Sequence, residues 1–363
     1  MAHKKITAII LTICMAVSMA ACGNKTESPK EPAKTENKEE GAEESTGETE
    51  TAEAPDEEFE PVTLRLGHSH SESEVPHEEM VKMAEMINEK TGGKVTVEIY
   101  PNNSIGSNED VLEQMRAGTN LAIYADPGRL DTYVPGVSAI SAPYVIEGYE
   151  DIEKLKSCAT VQNWEKQLED DFGLTVLSWN FCQGFRNIFA TKGGTSPDDF
   201  REVTLRSASA PIWVATVKAL GATPVSLEFG EMYSGIQTKI VDGCEQNYGA
   251  VYNNAIYEVI TTETETRHVY LANCVLISST WLRGLPEEFQ QIILEETEAA
   301  GERTSKRLAE QDDFYREEME KAGMEVIPYE DLDLEAFKEK AEAAYDELGI
   351  TEAVNSLKSD LGK

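Results

Sequence analysis

Residues 94–127 read KVTVEIYPNNSIGSNEDVLEQMRAGTNLAIYADP, and this stretch decides the fold class. Apolar and polar side chains alternate in residues 94–101, which predicts a strand. Residues 108–120 predict a helix, because acidic residues in a first turn favour the positive end of the helix dipole. Residues 121–127 predict the next strand. Strand, helix and strand joined by short links predict a parallel sheet covered by helices.

The same alternation continues through the rest of the folded part. Residues 229–247, FGEMYSGIQTKIVDGCEQN, predict an amphipathic helix and then a short strand that ends at three polar residues. Residues 287–323 predict one long, highly charged helix. Other strands or extended segments are predicted at 61–70, 174–180, 187–192, 202–207, 223–228, 268–286 and 324–330, and other helices at 76–93, 160–173, 212–222 and twice after 330. The fold class is therefore α/β, with two lobes expected.

Length and charge restrict the class of protein. The chain has 363 residues, enough for about two domains with a sizeable core. Lys and Arg number 32 against 67 for Asp and Glu, a formal net charge of −35. This acidic balance argues against nucleic acid as a partner and against direct docking on anionic lipid.

Residues 1–21 have the pattern of a secretory signal peptide. Lys4 and Lys5 precede an apolar run that is too short and wrongly flanked for a membrane-spanning helix. The sequence MAAC at 19–22 resembles a bacterial lipobox, which implies cleavage before Cys22 and a diacylglyceryl chain on its sulfur. Simple secretion, with Cys22 near the cleavage site by chance, is the alternative. Either way, an extracytoplasmic protein is expected.

Residues 22–60 predict a tether between the lipid and the folded part. They are rich in Glu, Thr, Lys, Pro and Ala and contain no aromatic residue before Phe59. Such a segment cannot bury enough apolar surface to order itself. We expect a disordered acidic tether that holds the folded part near a membrane. An acidic tail that binds a cation or a partner is the alternative.

The sequence offers little evidence for a metal or cofactor. The cysteines after residue 22 show no CxxC or CxxH spacing, so a zinc site is not expected, and buried thiols are the default. They are Cys158, Cys182, Cys244 and Cys274. His68, His70 and His77 form the only histidine cluster. A metal site there is conceivable, but a loop that borders a cleft is the preferred interpretation. No cofactor is expected.

Several segments, in order, resemble one family. They are GGKVTVEIYPNNSIGSNEDVLEQMRAGTNLAI, SAPYVIEGYEDI, GFRNIFATK, LRSASAPIWVATVKALGATPVSLEFGEMYSGIQTKIVDGCEQN and LPEEFQQIILE. They are similar to the solute-binding proteins of tripartite ATP-independent periplasmic (TRAP) transporters, of the DctP type. The combination of GFR, a later LR, and F-x-E-x-Y with QT and VDG is specific, and the resemblance covers roughly residues 62–363.

The resemblance implies a periplasmic-binding-protein-like fold. Two α/β lobes would enclose a ligand cleft, and a long helix would bridge them. Lobe I would comprise 61–183 plus about 272–311, and lobe II 184–271 plus about 312–363. The ligand would be a small organic acid, delivered to TRAP membrane subunits that use an ion gradient. A sensor of the same fold that reports to a receptor is the alternative.

An enzyme is not expected. The chain has no P-loop and no GxSxG, HExxH or GxGxxG motif with supporting context, and it has few histidines. The resemblance therefore implies binding without catalysis and without a supply of energy.

Two arginines are the first candidates for ligand binding. Arg206 follows EVTL near the end of a predicted strand and matches the family's ligand-carboxylate arginine, a role that suits the parallel N–H donors of a guanidinium. Arg186, in GFRNIFATK, matches a second family arginine near the ligand. Together they would suit a dicarboxylate, or one carboxylate held from two sides. The alternative for Arg206 is a solvated or ion-paired surface group, and the alternative for Arg186 is an ion pair that stabilises the loop after Gly184.

Other candidates come from the ends of predicted elements. Asp126 matches an acidic ligand contact, but Pro127 after it also suits a turn aspartate. Phe229 matches an aromatic residue that packs on ligand, with a core position as the alternative. A ligand contact through His68 or Ser69 is expected where the histidine loop borders the cleft. Trp213 can line the pocket or pack in the core.

Gln246 occupies the position of a family asparagine that binds ligand. Many relatives read VDGQEN, whereas this chain reads VDGCEQ followed by Asn247. Both side chains are amides with a donor and an acceptor, but Gln is one methylene longer. A slip of one residue would use Asn247 and turn it to the opposite face. Gln246 is the preferred residue.

Overall fold

The computed structural model describes residues 59–363. The predicted signal peptide, Cys22 and nearly all of the predicted tether lie outside the described residues. Within 59–363 the strands are β1 Val62–Gly67, β2 Val95–Tyr100, β3 Leu121–Ala125, β4 Leu174–Ala190, β5 Thr204–Ser207, β6 Thr223–Ser226, β7 Gly243–Gln246, β8 Thr262–Ser278 and β9 Glu325–Ile327.

Helices cover both faces of the sheet that these strands form. The helices are α1 Val75–Lys90, α2 Asn108–Arg116, α3 Tyr149–Leu155, α4 Ala159–Phe172, α5 Pro211–Ala219, α6 Met232–Gln237, α7 Tyr248–Asn253, α8 Ser279–Arg283, α9 Glu287–Lys321, α10 Leu334–Leu348 and α11 Thr351–Leu361. The predicted strand and helix order is confirmed in its main features. No helix within 59–363 is long and apolar enough to cross a membrane.

The sheet is mixed, so the predicted parallel sheet is only partly correct. The strand order is β2-β1-β3-β8-β4-β7-β5-β6, and β9 pairs with β8. Pairs at both ends, β1 with β2 and β5 with β6, are parallel, as the strand–helix–strand pattern predicts. The long strands β4 and β8, each 17 residues, pair antiparallel in the middle. Together they join the two ends, because β8 also pairs with β3 and β4 also pairs with β7.

Strand β4 also corrects the prediction of two separate strands at 174–180 and 187–192. The intervening FCQGFR resembles a turn because it contains Gly184 and polar Gln183, yet it stays in the strand. The β4–β8 register shifts between Cys182 and Phe185, and Gly184 lies at φ 77°. A glycine at positive φ accommodates such a bulge without a steric penalty.

The stretch 229–247 is less helical than predicted. A short 3-10 turn at Phe229–Glu231 precedes α6, and the chain then enters β7. Glu245 and Gln246 are the last two residues of that strand rather than residues beyond it. Their side chains are therefore held by the sheet on which the site is built.

Helix α9 bridges the two ends of the sheet. Ile293 and Ala300 pack in the core beside Leu64 of β1, whereas Met319 packs beside Met232 of α6. Gly301 allows close contact with β4, because a Cβ there would lie 1.7 Å from Asn180 Oδ1. The prediction of an α/β fold with a long bridging helix is confirmed.

The last helices contact different parts of the chain. Helix α10 packs on α5, whereas Val354 and Leu357 of α11 share a core with Trp164 of α4. The proposed division into lobes at 183/184, 271/272 and 311/312 remains a prediction. The four cysteines after residue 22 are free and buried, as expected, and burial raises the pKa of each thiol.

Candidate functional site

One cavity of about 100 Å³ lies where the ends of β1, β3, β5 and β7 meet the middle of β4 and β8. Parallel strands bring their carboxyl ends to one edge, which is the usual ligand position in open α/β sheets. The cavity collects most of the residues predicted for the site: Ser69, Asp126, Arg186, Arg206, Trp213, Phe229 and Gln246.

Arg206, near the end of β5, is a buried cation without an ion-pair partner in the described part of the chain. Its side chain is 5% exposed, and its Nε donates to the carbonyl oxygen of Leu227 at 2.9 Å. Among residues 59–363, no carboxylate lies within 4.0 Å, and neither terminal nitrogen has a protein acceptor. Burial lowers the pKa of Arg206, yet a guanidinium stays charged at neutral pH. A buried charge without a partner is costly, so this position favours an anion.

Arg186, on β4, is already neutralised by the protein. Its Nε and Nη2 donate to the two carboxylate oxygens of Glu245 at 2.5 and 2.7 Å, and its guanidinium lies 4.6 Å from the centre of the Trp213 ring. Burial alone would raise the pKa of Glu245, but Arg186 and a hydrogen bond from His268 lower it to about 2. The second predicted arginine is therefore an ion-paired part of the wall.

The structure separates Gln246 from Asn247. Gln246 lines the cavity, and its Oε1 accepts from Arg186 Nη1 at 3.2 Å. Asn247 caps α7, because its Oδ1 accepts from the N–H of Ala250 at 2.8 Å. Asn247 does not line the cavity and instead donates to Gln183 Oε1 at 3.2 Å. Of the two registers, the geometry favours Gln246.

Asp126 joins two elements rather than capping a turn. Its Oδ1 accepts from Trp213 Nε1 at 2.7 Å, and its Oδ2 accepts from Arg129 Nε at 2.8 Å. It precedes the 3-10 turn Pro127–Thr132 but makes no capping hydrogen bond there. Trp213 is thereby fixed between Asp126 and Arg186, with its ring edge bonded to one and its face stacked on the other.

The histidine loop places Ser69 and His70 on the cavity wall but not His68. His68 is buried, and its Nε2 lies 3.1 Å from Nδ1 of His77. Burial, with some help from the neighbouring histidines, lowers the pKa of His68 to about 3, so its ring is neutral. Within residues 59–363, no group of three or more His, Cys, Asp or Glu side chains could hold a metal ion.

Sequence reasoning missed a group of wall residues that lie inside strands. Tyr124, Gln183 and Asn273 line the cavity and bond to one another through the Tyr124 hydroxyl. Tyr124 belongs to an apolar strand and resembles a core residue. The sequence feature that could have revealed these wall residues is Asn273, a single amide in the apolar run YLANCVLIS.

The family described as "Bacterial extracellular solute-binding protein, family 7" (DctP) matches residues 66–352. The chain belongs to this family. A curated relative, the 2,3-diketo-L-gulonate-binding periplasmic protein of Escherichia coli strain K12, is 26% identical over 278 residues, covering 76% of this chain and 84% of the relative.

Solved structures agree with the match. A TRAP periplasmic solute-binding protein from Escherichia fergusonii, in an apo open form, is 30% identical with a TM-score of 0.74, covering 82% of this chain and 99% of the other. Another, from Chromohalobacter salexigens with bound D-glucuronate, is 25% identical with a TM-score of 0.75, covering 82% and 98%. The predictions of a TRAP solute-binding protein with this fold, and of a binding protein rather than an enzyme, are confirmed.

Proposed function

We propose that this DctP-family protein captures a small organic acid in the cavity and delivers it to TRAP membrane subunits. The observation that carries the proposal is Arg206, a buried guanidinium on the cavity wall with no carboxylate partner among residues 59–363. A ligand carboxylate supplies the missing charge and accepts hydrogen bonds from the terminal nitrogens. Hydrogen bonds to charged groups contribute about 1.5–3 kcal/mol each.

The relatives' ligands support an acid. The compounds named for the Escherichia coli relative and for the Chromohalobacter salexigens structure, 2,3-diketo-L-gulonate and D-glucuronate, each carry one carboxylate. The ligand then lies between lobe I, 61–183 plus about 272–311, and lobe II, 184–271 plus about 312–363. Arg206 belongs to lobe II and Asp126 to lobe I, so a ligand that touches both walls favours closure of the lobes around it.

The other residues predicted for the site have different roles in this proposal. Arg206 binds the carboxylate, while Gln246, Phe229 and Ser69 make direct contacts. Arg186, Asp126 and Trp213 hold the shape of the wall, because protein partners already occupy them. His68 and Asn247 lie behind it.

A lipid anchor completes the proposal. The MAAC sequence supports cleavage before Cys22 and lipidation of its sulfur, and residues 22–60 then tether the binding part to the outer face of a cell membrane. Mass spectrometry of the mature N-terminus tests this. A diacylglyceryl mass on Cys22, and loss of membrane association in Cys22→Ala, are expected. An unmodified Cys22 in soluble wild-type protein would rule the anchor out.

A ligand screen tests the binding proposal. Thermal shift and calorimetry with a panel of organic acids identify the best ligand for the purified protein. Arg206→Ala is expected to abolish measurable binding of that acid. Arg201→Ala is the matched control, because Arg201 is exposed and forms an ion pair with exposed Asp198 at 2.7 Å. Full affinity in Arg206→Ala would sink the carboxylate assignment.

A further inference from the structure

A chain of hydrogen bonds crosses the wall of the cavity, and one backbone group fixes its direction. The N–H of Ala250 can only donate, so the Asn247 atom bonded to it is Oδ1. Asn247 Nδ2 therefore donates to Gln183 Oε1 at 3.2 Å. Gln183 Nε2 must then donate to the hydroxyl oxygen of Tyr124 at 2.8 Å. The hydroxyl proton of Tyr124 must therefore be donated to a different acceptor.

Asn273 lies at the end of this series of hydrogen bonds, and its amide cannot make all of its own hydrogen bonds with protein groups. Its amide head lies 2.9 Å from the Tyr124 hydroxyl oxygen, and its Oδ1 has no partner among residues 59–363. If the amide is rotated, Oδ1 accepts the Tyr124 proton, but then Nδ2 is the atom without a partner. Asn273 is 6% exposed and lines the cavity. In both arrangements, a buried hydrogen-bonding group at this wall lacks a protein partner.

His70 supplies a second, independent group on the same wall. Its Nδ1 lies 2.9 Å from Oε2 of Glu74, and its ring centre lies 5.2 Å from that of Tyr124. Burial alone would raise the pKa of Glu74, but His70 and hydrogen bonds from Ser71 lower it, so Glu74 is an ionised acceptor. His70 Nδ1 therefore carries a proton. Its Nε2 has no partner within 59–363, and His70 lines the cavity.

The charges around this wall disfavour a second carboxylate. Arg129, which also lines the cavity, is occupied by Asp126 and Glu109. Arg186 is occupied by Glu245. Among residues 59–363, Arg206 is therefore the one arginine on the cavity wall without a carboxylate partner. A hydroxyl group both donates and accepts, so it complements the Tyr124–Asn273 pair in either arrangement.

We propose that His70, Tyr124 and Asn273 form a hydroxyl-binding subsite, so that the cavity selects hydroxylated monocarboxylates over dicarboxylates and over acids without hydroxyl groups. The inference rests on the proposed function, because it takes Arg206 as the carboxylate site. It assigns Tyr124 and Asn273 as specificity-determining residues. A site built around hydrogen bonds rejects a ligand that lacks them, because its buried polar groups are then left without partners.

Matched acids test the subsite by calorimetry on the purified full-length mature protein. The probes are the six-carbon aldonates in their different hydroxyl configurations, with hexanoate, adipate and inorganic phosphate. At least one aldonate is expected to bind about a hundred-fold more tightly than hexanoate or adipate. If hexanoate, adipate or phosphate binds as tightly as every aldonate, the proposal of a hydroxyl-binding subsite is overturned, whereas the proposed function of anion binding is retained. If no acid binds, the proposed function fails as well.

Removing one hydroxyl group from the protein and one from the ligand then locates the subsite. Tyr124→Phe is expected to weaken binding of the best aldonate about ten-fold, and a monodeoxy analogue lacking the contacted hydroxyl is expected to bind both proteins equally. Tyr133→Phe is the control, because its hydroxyl bonds to exposed Glu113 away from the cavity. Asn273→Ser gives the same comparison if Tyr124→Phe does not fold. The proposal is overturned if the variant that folds weakens binding of the aldonate and of every monodeoxy analogue by the same factor.

Discussion

Arg186 and Glu245 form a buried ion pair through two parallel hydrogen bonds, whereas Arg206 has no carboxylate partner among residues 59–363. Both arginines line the same cavity. The difference separates their roles, because a neutralised guanidinium shapes the wall and an unpaired one attracts an anion. A ligand with one carboxylate matches this charge distribution better than a ligand with two.

Glu245→Gln is expected to destabilise the protein strongly. It would leave Arg186 as a second buried charge without a carboxylate, and breaking a buried pair typically costs about 3–5 kcal/mol. Chemical denaturation measures the loss of unfolding free energy. Glu169→Gln is the control, because Glu169 forms an exposed ion pair with Arg283 and should change stability by less than about 1 kcal/mol. Equal losses in the two variants would contradict the structural role of the pair.

The stability of the protein should decrease from mildly acidic to mildly alkaline pH partly because of Glu263. Burial raises the pKa of this carboxyl to about 8, and its Oε2 has no partner within 59–363. A raised carboxyl pKa contributes stability that is complete below the unfolded pKa of about 4.3 and is lost as pH rises towards the folded value. Glu263→Gln mimics the protonated group, so its unfolding free energy should fall less between pH 5 and pH 8.

Denaturation curves at several pH values measure this slope. The control is Glu325→Gln, because Glu325 is exposed on β9 and should leave the slope of the wild type unchanged. A Glu263→Gln slope identical to that of the wild type would show that Glu263 does not carry the effect.

Gln246 and Asn247 should separate ligand affinity from stability. Gln246→Leu removes a polar head from the cavity wall and is expected to weaken binding of the identified acid about ten-fold. Asn247→Ala removes the cap of α7 and should mainly cost about 1 kcal/mol of stability. Calorimetry and denaturation on both variants check this. The reverse pattern would mean that Asn247 is the ligand residue.

Gly301→Ala should destabilise the packing of α9 on β4, although alanine favours helices. A Cβ at this position would lie 1.7 Å from Asn180 Oδ1, and Asn180 is held by its hydrogen bond to the carbonyl oxygen of Glu298. Overpacking of this kind costs about 1–3 kcal/mol. Gly230→Ala is the control, since a Cβ there meets no atom within 4 Å. A thermal-denaturation midpoint unchanged in Gly301→Ala would contradict the close contact.

The sequence predicts the elements of this fold better than their connections. Alternation and helical spacing locate β1, α1, β2, α2 and β3 because those signals are local. Strand β4 is different, because its passage through Gln183 and Gly184 depends on pairing with β8, which is distant in sequence. Local propensity therefore predicts a turn where tertiary pairing maintains a strand.

Prediction of the site from the sequence is limited in the same way, by contacts between residues that are distant in sequence. The resemblance locates Arg186 and Arg206, but only the structure reveals that one is paired and the other is not, since Glu245 is 59 residues from Arg186. The register of Gln246 follows from the end of β7, which the polar run EQN does not define. Tyr124 resembles a core residue until its hydroxyl partners are known, and the single amide of Asn273 in an apolar strand indicates a polar contact without identifying its partner.

A crystal structure of the complex with the tightest-binding acid tests the central claim most directly. The ligand carboxylate is expected on Arg206, with its oxygens about 2.7–2.9 Å from the guanidinium nitrogens and with the Arg186–Glu245 pair intact. A ligand whose carboxylate lies on another residue, or whose binding displaces Glu245 from Arg186 while Arg206 makes no contact with it, would contradict the account.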